Sequence, residues 1–511
     1  MRLLLTVILC CATSLSQAGS NFTFDPAPGP HGVGVRVVEQ YDYARSYLGN
    51  FDVVTGKPVH GEKARPMQTV IWYPAQKSGK HVTYGDYVRL NVGAEKFGRG
   101  EAEVGAAAAA WLRQQRSDNG AEQANAELAR LMWAVRDGKP APGKFPVVIY
   151  APSINASATE NADLCEYLAS HGYLVIASPS MGAHARDMDS DLEGIETQAA
   201  DIAFLIGYAH TLPQSDTARL AVAGYSWGGI SNVFVAARDS RVKALVNIDG
   251  SVRYWPELIA QAKYVVPERV AAPMLFLAQR PRSLEELAKR GKPAVSFLND
   301  LKNSDLYSVT MHPMEHFAFS SDALRFIGTA SFGEYSPAEV SQAHGWMARY
   351  VLQFLNAYLL EQGAAKTFLS NTPKQNGVPA HMMTAVTQLA LGPAPTLGML
   401  AAESSKTGFG NVEAVYAAMR KRDPAFALTE QALNNWGYKL LAAGEKRGAL
   451  AVLKLVTTLH PESGNAYDSL AEAYEANDDK ARAVENYQRA LKLNPGNENA
   501  ARHLKALGAP N

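Results

Sequence analysis

Short apolar runs alternate with longer amphipathic segments along most of this chain. The runs are rich in Val, Ile and Leu and show little polar alternation, which is typical of strands buried on both faces of a parallel sheet. They predict strands at 33–38, 69–73, 145–150, 173–177, 220–223, 244–248, 274–278 and 307–311. Helical patterns lie between them at 162–170, 195–210, 229–238 and 342–360. This alternation predicts an α/β domain with a mainly parallel sheet, at about 19–363.

One segment interrupts the alternation. Residues from about 91 to 143 are rich in alanine and charge, and they predict two helices inserted between an early strand and the strand at 145. Such an insertion is either a helical decoration of the surface or a lid over a pocket. Helicity alone does not decide between the two.

The C-terminal region carries a helical pattern that repeats after 34 residues. The second unit follows the spacing of a tetratricopeptide repeat through Tyr467, Leu470, Ala471, Tyr474, Ala483, Tyr487, Ala490 and Pro495. The first unit repeats part of it through Trp436, Gly437, Leu440, Ala449, Leu453 and Pro461. We therefore predict a helical region at 411–511, with repeats at about 430–463 and 464–497 and a capping helix at 498–507.

Two repeats rarely bury enough surface to stand alone. The repeat module is therefore expected to pack on the α/β domain, on residues 411–422 or on another chain. The segment at 364–410 contains several prolines and glycines and predicts an irregular linker.

The N-terminus has the pattern of an export signal. A positive start at Arg2 precedes an apolar run, and small residues at Ser16 and Ala18 fit a cleavage site, so residues 1–18 are predicted to be a signal peptide. Cys10 and Cys11 fall inside it, which leaves one later cysteine and no disulfide or cysteine metal site. No later segment predicts a membrane span. The formal net charge of +0 gives no reason to expect nucleic-acid binding.

Candidate chemistry centres on the Gly-x-Ser-x-Gly motif around Ser226. The strand at 220–223 leads into Gly224, and a helical pattern begins after Gly229. Strand, sharp turn and helix form a nucleophile elbow, which exposes the serine hydroxyl above the sheet. The alternative is an ordinary turn in which Ser226 caps the helix. We interpret Ser226 as the nucleophile.

A serine nucleophile needs a base, and this arrangement orders the chain as Ser, acid, His. Only His312 and His316 directly follow a predicted strand. We favour His316, because Pro313 ends the strand and places it further into the loop. His312 is the alternative, and His344 is interpreted as a structural residue on a helix.

The acid is predicted at Asp249, where the strand at 244–248 ends. The strand at 274–278, which carries the acid in many such hydrolases, has no carboxylate at its end. The alternative is that Asp249 only caps a turn. Asp300 and Asp305 lie in a polar loop and are weaker candidates.

These features together resemble a known family. The run at 145–180, the elbow, Asp249 and His316 are similar to the platelet-activating-factor acetylhydrolase branch of the α/β-hydrolases, close to dienelactone hydrolases. The segments at 72–75 and 166–176 also resemble its members. The likeness covers about 33–360 without the insertion. It implies a Ser226–His316–Asp249 triad that hydrolyses esters through an acyl-enzyme.

One loop departs from the family pattern. Members usually have His-Gly-apolar-Gly after the strand at 147–150, whereas this chain has Pro-Ser-Ile-Asn at 152–155. The resemblance implies an oxyanion hole made by the backbone N–H groups of Ile154 and Trp227. Asn155 is either an extra donor or the cap of the next helix. A glycan on the Asn155 sequon would block this loop, which favours a bacterial periplasm or exterior.

The sequence therefore predicts an exported, periplasmic or secreted serine hydrolase that cleaves small-molecule carboxylic esters. No metal or organic cofactor is expected, and the repeats are a candidate site for a protein partner. One alternative is an amidase or peptidase with the same triad. Another is an interaction protein whose hydrolase site has lapsed, motivated by the altered loop at 152–155.

Overall fold

The computed structural model describes residues 20–52, 55–281, 297–392 and 394–510, without the side chains of 114–119. These residues form two compact units, Met1–Ala390 and Leu391–Asn511. The predicted signal peptide at 1–18 lies outside the described residues. No helix in the described part of the chain is both long and apolar enough to cross a membrane.

The first unit is built on one sheet. Its described strands are β1 Gly32–Ser46, β2 Ala64–Ala75, β3 His81–Thr83, β4 Leu131–Arg136, β5 Phe145–Ala151, β6 Leu174–Ala177, β7 Ser215–Tyr225, β8 Val242–Ile248, β9 Met274–Ala278, β10 Leu306–Met311 and β11 Met383–Gln388. Their order across the sheet is β11-β10-β9-β8-β7-β5-β6-β2-β1-β4-β3. The six strands from β10 to β6 in this order are mutually parallel, and β11 and β2 border them antiparallel.

Helices cover both faces of the sheet. Those described in the first unit are α1 Tyr84–Val92, α2 Glu101–Asn119, α3 Ala121–Ala129, α4 Ala162–Ser170, α5 Leu192–Ala209, α6 Trp227–Ala236, α7 Pro256–Gln261, α8 Ser321–Phe326, α9 Pro337–Tyr358 and α10 Gly363–Ser370. Short 3₁₀ helices lie at Ser251–Arg253, Pro267–Arg269, Phe297–Asp300, His316–Phe319 and Thr329–Phe332. The predicted α/β class with a mainly parallel sheet is confirmed.

The core consists of two apolar layers separated by the central strands. Val148 and Val175 belong to one layer, and their neighbours Ile149 and Ile176 belong to the other. Side chains of successive strand residues point to opposite faces, so strands buried on both sides need apolar residues at every position. This requirement explains why the central strands show no polar alternation in the sequence.

The insertion contains two helices, α2 and α3, and also a strand that the sequence analysis did not predict. Residues 131–136 form β4, which pairs parallel with β1 and antiparallel with β3. Its sequence, Leu-Met-Trp-Ala-Val-Arg, places aromatic and β-branched residues in the segment, which favours a strand once a sheet edge supplies hydrogen-bond partners. The insertion is therefore part of the sheet edge as well as a helical layer.

Buried polar contacts fix the insertion to the rest of the first unit. Arg325 bonds to Glu127 of α3 at 2.7 Å and to Asp163 of α4 at 2.6 Å. The backbone N–H of Trp133 in β4 donates to the buried carboxyl of Glu166 at 2.7 Å, and this carboxyl also accepts from the Tyr87 hydroxyl of α1 at 2.5 Å. Because buried charges are costly unless paired, these contacts specify where the insertion packs.

The predicted irregular linker at 364–410 is wrong in its local structure. It contains most of α10, the edge strand β11 and the helix α11 Leu397–Ser405. The strand β11 pairs antiparallel with β10. Pro373, Pro379 and Pro395 lie between these elements and not inside them, so they mark element ends.

The second unit is helical in its described residues. Its helices are α11, α12 Val412–Arg422, α13 Glu430–Ala442, α14 Lys446–Leu459, α15 Gly464–Ala476, α16 Lys480–Leu493 and α17 Glu498–Ala506. Leu400, Tyr416, Leu433 and Tyr487 belong to one buried cluster. The repeat helices therefore pack on α12, one of the three surfaces expected from the sequence.

Candidate active site

Ser226 lies in the tight turn between β7 and α6. Its backbone has φ 51° and ψ −113°, a conformation that costs energy for a residue with a Cβ. The turn also needs close backbone packing: a Cβ on Gly224 would lie 2.1 Å from the Gly228 carbonyl oxygen, and one on Gly228 would lie 2.1 Å from that of Ala151. The two motif glycines are thus required by sterics, and the serine is held at the end of the sheet as the elbow pattern predicts.

His316 contacts both other members of the predicted triad. Its Nε2 lies 2.9 Å from the Ser226 Oγ, and its Nδ1 lies 2.6 Å from the Asp249 Oδ2. An ionised carboxylate only accepts, so Nδ1 carries the hydrogen and Nε2 is free to accept from the serine hydroxyl. The Asp249 side chain is fully buried, whereas that of His316 is 42% exposed. The structure brings the three residues together in the order expected of a triad.

Asp249 follows β8 and has its second oxygen occupied as well. The backbone N–H of Gln279 donates to Oδ1 at 2.9 Å, and the N–H of Asp249 itself donates to the Leu277 carbonyl at 2.7 Å. The end of β9, which has no carboxylate, therefore supplies a hydrogen-bond donor to the carboxylate of the neighbouring strand. Sequence analysis missed Gln279, because it acts through its backbone.

Tyr225 holds the loop that carries His316. Its hydroxyl donates to the His316 carbonyl oxygen at 2.7 Å, and the two ring centroids lie 5.2 Å apart. Burial raises the pKa of the Tyr225 phenol well above its ordinary value, so it remains a donor at neutral pH. Its place next to the nucleophile was visible in the sequence, but its distant partner was not.

We call residues 152–155, which carry the predicted donor Ile154, the oxyanion loop; this loop lies against the elbow. A Cβ on Gly228 would be 2.8 Å from the carbonyl oxygen of Pro152, so this loop and the start of α6 are in close contact. Trp227 is the first residue of α6, where backbone N–H groups have no partner within the helix. Ile154 lies inside the loop.

The Asn155 side chain bonds to Met188 and does not cap α4, whose N-cap is Asn161. Asn155 Oδ1 accepts from the Met188 N–H at 2.6 Å, and the Asn155 carbonyl accepts from Arg186 Nη2 at 3.0 Å. The residue has φ 60°, a left-handed conformation that asparagine tolerates better than most residues. Asn155 thus anchors the oxyanion loop to the segment at 186–188, and it caps no helix.

A cavity of about 310 Å³ adjoins this loop. Helix α1 contributes Val88 to its wall and helix α2 of the insertion contributes Trp111, and the charged residues Arg186 and Asp322 also line it. The insertion therefore forms part of the wall of this cavity.

The weaker candidates have other partners. The Asp305 carboxylate accepts from the Tyr358 hydroxyl at 2.7 Å and from the Ala390 N–H at 2.8 Å. Burial lowers the pKa of His344 to about 4, and its Nδ1 bonds to the Ala318 carbonyl at 2.9 Å. The interpretation of His344 as a structural residue agrees with these contacts. It is His316, not His312, that contacts both Ser226 and Asp249.

Comparison with known proteins gives two family matches. Residues 119–252 match the family described as Chlorophyllase, and residues 464–497 match the Tetratricopeptide repeat family. The first match includes Ser226 and Asp249 and ends before His316. Together with the sheet topology, these matches support the resemblance drawn from the sequence: the first unit is similar to α/β-hydrolases, and residues 464–497 match a tetratricopeptide repeat.

Two individual proteins are also similar. The chain is 25% identical over 138 residues to a Methylorubrum extorquens protein named as a carboxymethylenebutenolidase, in an alignment that covers 25% of this chain and 45% of that protein. The chain thus spans less than half of that relative. A solved ferulic acid esterase from Streptomyces cinnamoneus is 20% identical, with a TM-score of 0.44 over 66% of this chain and 93% of that chain.

Proposed function

We propose that this protein is a serine hydrolase that cleaves carboxylic esters through an acyl-enzyme. The observation that carries the proposal is the continuous contact from the Ser226 Oγ through His316 to the buried Asp249, at 2.9 and 2.6 Å. A match to the Chlorophyllase family, and a relative whose name denotes the hydrolysis of a cyclic ester, support it.

In the proposed mechanism, Ser226 Oγ attacks the acyl carbon while His316 Nε2 takes its proton. The backbone N–H groups of Trp227 and Ile154 receive the negative charge that develops on the carbonyl oxygen. The imidazolium then gives its proton to the departing alkoxide. The alcohol is released, and the acyl group remains bound to Ser226 as an ester. Water gives a proton to the same imidazole as it attacks this ester. The imidazolium then returns this proton to Ser226 Oγ as the acyl–Oγ bond breaks, which releases the acid and free Ser226.

Asp249 stabilises the imidazolium formed in each half-reaction. Its carboxylate is withdrawn from water, so its attraction to the imidazolium is weakly screened. The N–H of Gln279 occupies the oxygen that does not face His316 and thereby fixes the orientation of the carboxylate.

Export and a protein partner complete the proposal. The pattern at 1–18 supports export to the periplasm or exterior of a bacterium. The repeat match at 464–497 supports binding of a protein partner.

The test is the Ser226→Ala variant, assayed with a short-chain aryl ester and its matching anilide. We expect the esterase rate to fall by more than about 10⁴-fold, because the nucleophile is lost. The exposed Ser240 provides a matched control, and Ser240→Ala should keep the wild-type rate. Undiminished turnover by Ser226→Ala would overturn the proposal.

A fluorophosphonate probe distinguishes the alternatives. The wild-type protein should be labelled at Ser226, and Ser226→Ala should not. Failure to label the folded wild-type protein would favour an interaction protein with a lapsed site. Comparable rates on the anilide and the ester would favour an amidase.

A further inference from the structure

Glu160 is a buried acid that the proposed mechanism does not use. The Ser153 N–H donates to Glu160 Oε2 at 2.8 Å, and the Ser153 hydroxyl donates to Oε1. Ser153 directly precedes Ile154, a proposed oxyanion donor. The carboxylate therefore fixes the oxyanion loop at the residue next to that donor.

The backbone beside Glu160 holds a second part of the site. The Glu160 carbonyl accepts from the Asp322 N–H at 3.1 Å, and Asn161 Oδ1 accepts from the Ser321 N–H at 2.8 Å. Ser321 begins α8, which directly follows the 3₁₀ helix His316–Phe319. Residues 160–161 thus connect the oxyanion loop to the segment that carries His316.

The charge of Glu160 responds to pH near neutrality. Burial raises the pKa of its carboxyl to about 7, while the hydrogen bonds from Ser153 lower it. Asp322 opposes ionisation, and protonated His316 favours it. Tyr150 and Tyr225 also face this carboxyl, but burial raises the pKa of both phenols well above the ordinary value, so they stay neutral.

We propose that Glu160 is a positioning residue of this site. It holds the oxyanion loop through Ser153 and places a second negative charge near His316. This proposal rests on the esterase function proposed above. A negative charge near the imidazole favours the imidazolium that forms in the transition state. Protonation of Glu160 removes that charge and weakens the acceptor for Ser153. Activity should therefore fall on acidification through two groups, the base and Glu160.

Three variants separate charge from anchoring. Glu160→Gln keeps a carbonyl acceptor for the Ser153 N–H but removes the charge, whereas Glu160→Ala removes both. Glu166→Gln is a matched control, because Glu166 is also buried and accepts from a backbone N–H, at Trp133, and from a hydroxyl, at Tyr87. It lies on α4, and neither partner belongs to the proposed triad or oxyanion loop.

Two profiles are measured against pH: kcat for the aryl ester, with KM determined at each pH, and the rate of fluorophosphonate labelling of Ser226. For Glu160→Gln we expect the acid limb of both profiles to move to lower pH by about 0.5 to 1 unit, because an opposite charge near the base is lost. For Glu160→Ala we expect kcat to fall by about 10-fold or more with KM nearly unchanged, as for a displaced oxyanion donor. Glu166→Gln should reproduce the wild-type profiles.

The inference is overturned if the acid limb of Glu160→Gln coincides with that of the wild-type protein and of Glu166→Gln. It is also overturned if Glu160→Ala keeps the wild-type kcat. If the Glu160 variants do not fold, Ser153→Ala removes the hydroxyl contact from the other side and should lower kcat without raising KM. Failure of the esterase function itself would appear separately, as activity or labelling that does not depend on Ser226.

Discussion

At the scale of single residues, the site depends on the Asp249 carboxylate, which accepts a hydrogen bond on each of its two oxygens. Asp249 accepts the Gln279 N–H on one oxygen and the His316 Nδ1–H on the other. An ionised carboxylate suits this position because both of its oxygens only accept. An asparagine amide has one accepting oxygen and one donating nitrogen. At position 249 its nitrogen would face either the Gln279 N–H or the His316 Nδ1–H, and both of these are donors.

The Asp249→Asn variant should therefore lose about 10³- to 10⁴-fold in kcat/KM, because the imidazole takes the wrong tautomer. Aryl ester hydrolysis measures this loss. The matched control is Asp305→Asn, since Asp305 also accepts one backbone N–H and one side-chain hydrogen, from Ala390 and Tyr358. It should cost stability but leave kcat/KM close to the wild-type value. Equal activity losses in both variants would contradict the role given to Asp249.

The sequence predicted the three residues of the proposed triad, which act through their side chains. Ser226, Asp249 and His316 combine the right types with strand ends in the right order. Gln279 could not be found this way, since any residue except proline supplies a backbone N–H. The partner of the Tyr225 hydroxyl is a carbonyl 91 residues away, and such a pairing exists only after folding.

At the scale of elements, the elbow combines strain with close packing. Strand β7 and helix α6 are almost entirely buried around Ser226, so the surrounding core can hold the residue in its unfavourable conformation. Strand pairing contributes on both sides, because β7 lies between β5 and β8. The backbone segments at the elbow are so close together that a single added methyl group on a motif glycine would clash with a carbonyl oxygen.

The Gly228→Ala variant tests this dependence. Its Cβ would lie 2.1 Å from the Ala151 carbonyl oxygen, so we expect a loss of about 3 kcal/mol or more in unfolding free energy, together with loss of activity. Urea denaturation measures the first and aryl ester hydrolysis the second. Gly207→Ala in α5 is the control, because its Cβ meets no atom within 4 Å and alanine favours helices by about 0.5 to 1 kcal/mol. A Gly228→Ala protein as stable as Gly207→Ala would refute the close packing.

Element prediction succeeded where burial fixes the pattern and failed at the edges of the sheet. The central strands have apolar residues on both faces because helices cover both sides of the sheet. Strand β11 lies at one edge of the sheet and β4 lies second from the other edge. Both carry exposed apolar residues, including Leu131 and Val386, so their sequences lack the continuous buried pattern of the central strands. Their pairing with β1 and β10 decides their conformation, and that pairing is not local.

At the scale of the whole molecule, the chemistry and the repeats belong to separate units. Ser226, Asp249, His316, Ile154 and Glu160 all lie within Met1–Ala390. The second unit has its own buried cluster, formed by residues from Leu400 to Leu504. Units with separate cores generally fold independently.

A chain that ends at Ala390 should therefore hydrolyse a soluble aryl ester with kcat/KM within about threefold of the full chain, because its sheet, both of its apolar layers and every proposed site residue remain. Circular dichroism establishes that the shortened chain is folded, and Ser226→Ala in the same background shows that the remaining activity belongs to the same site. A folded shortened chain that loses more than tenfold in kcat/KM would show that residues after 390 contribute to catalysis. Retained activity would instead assign the repeats to a role outside the chemical step, as expected of a module that binds a partner.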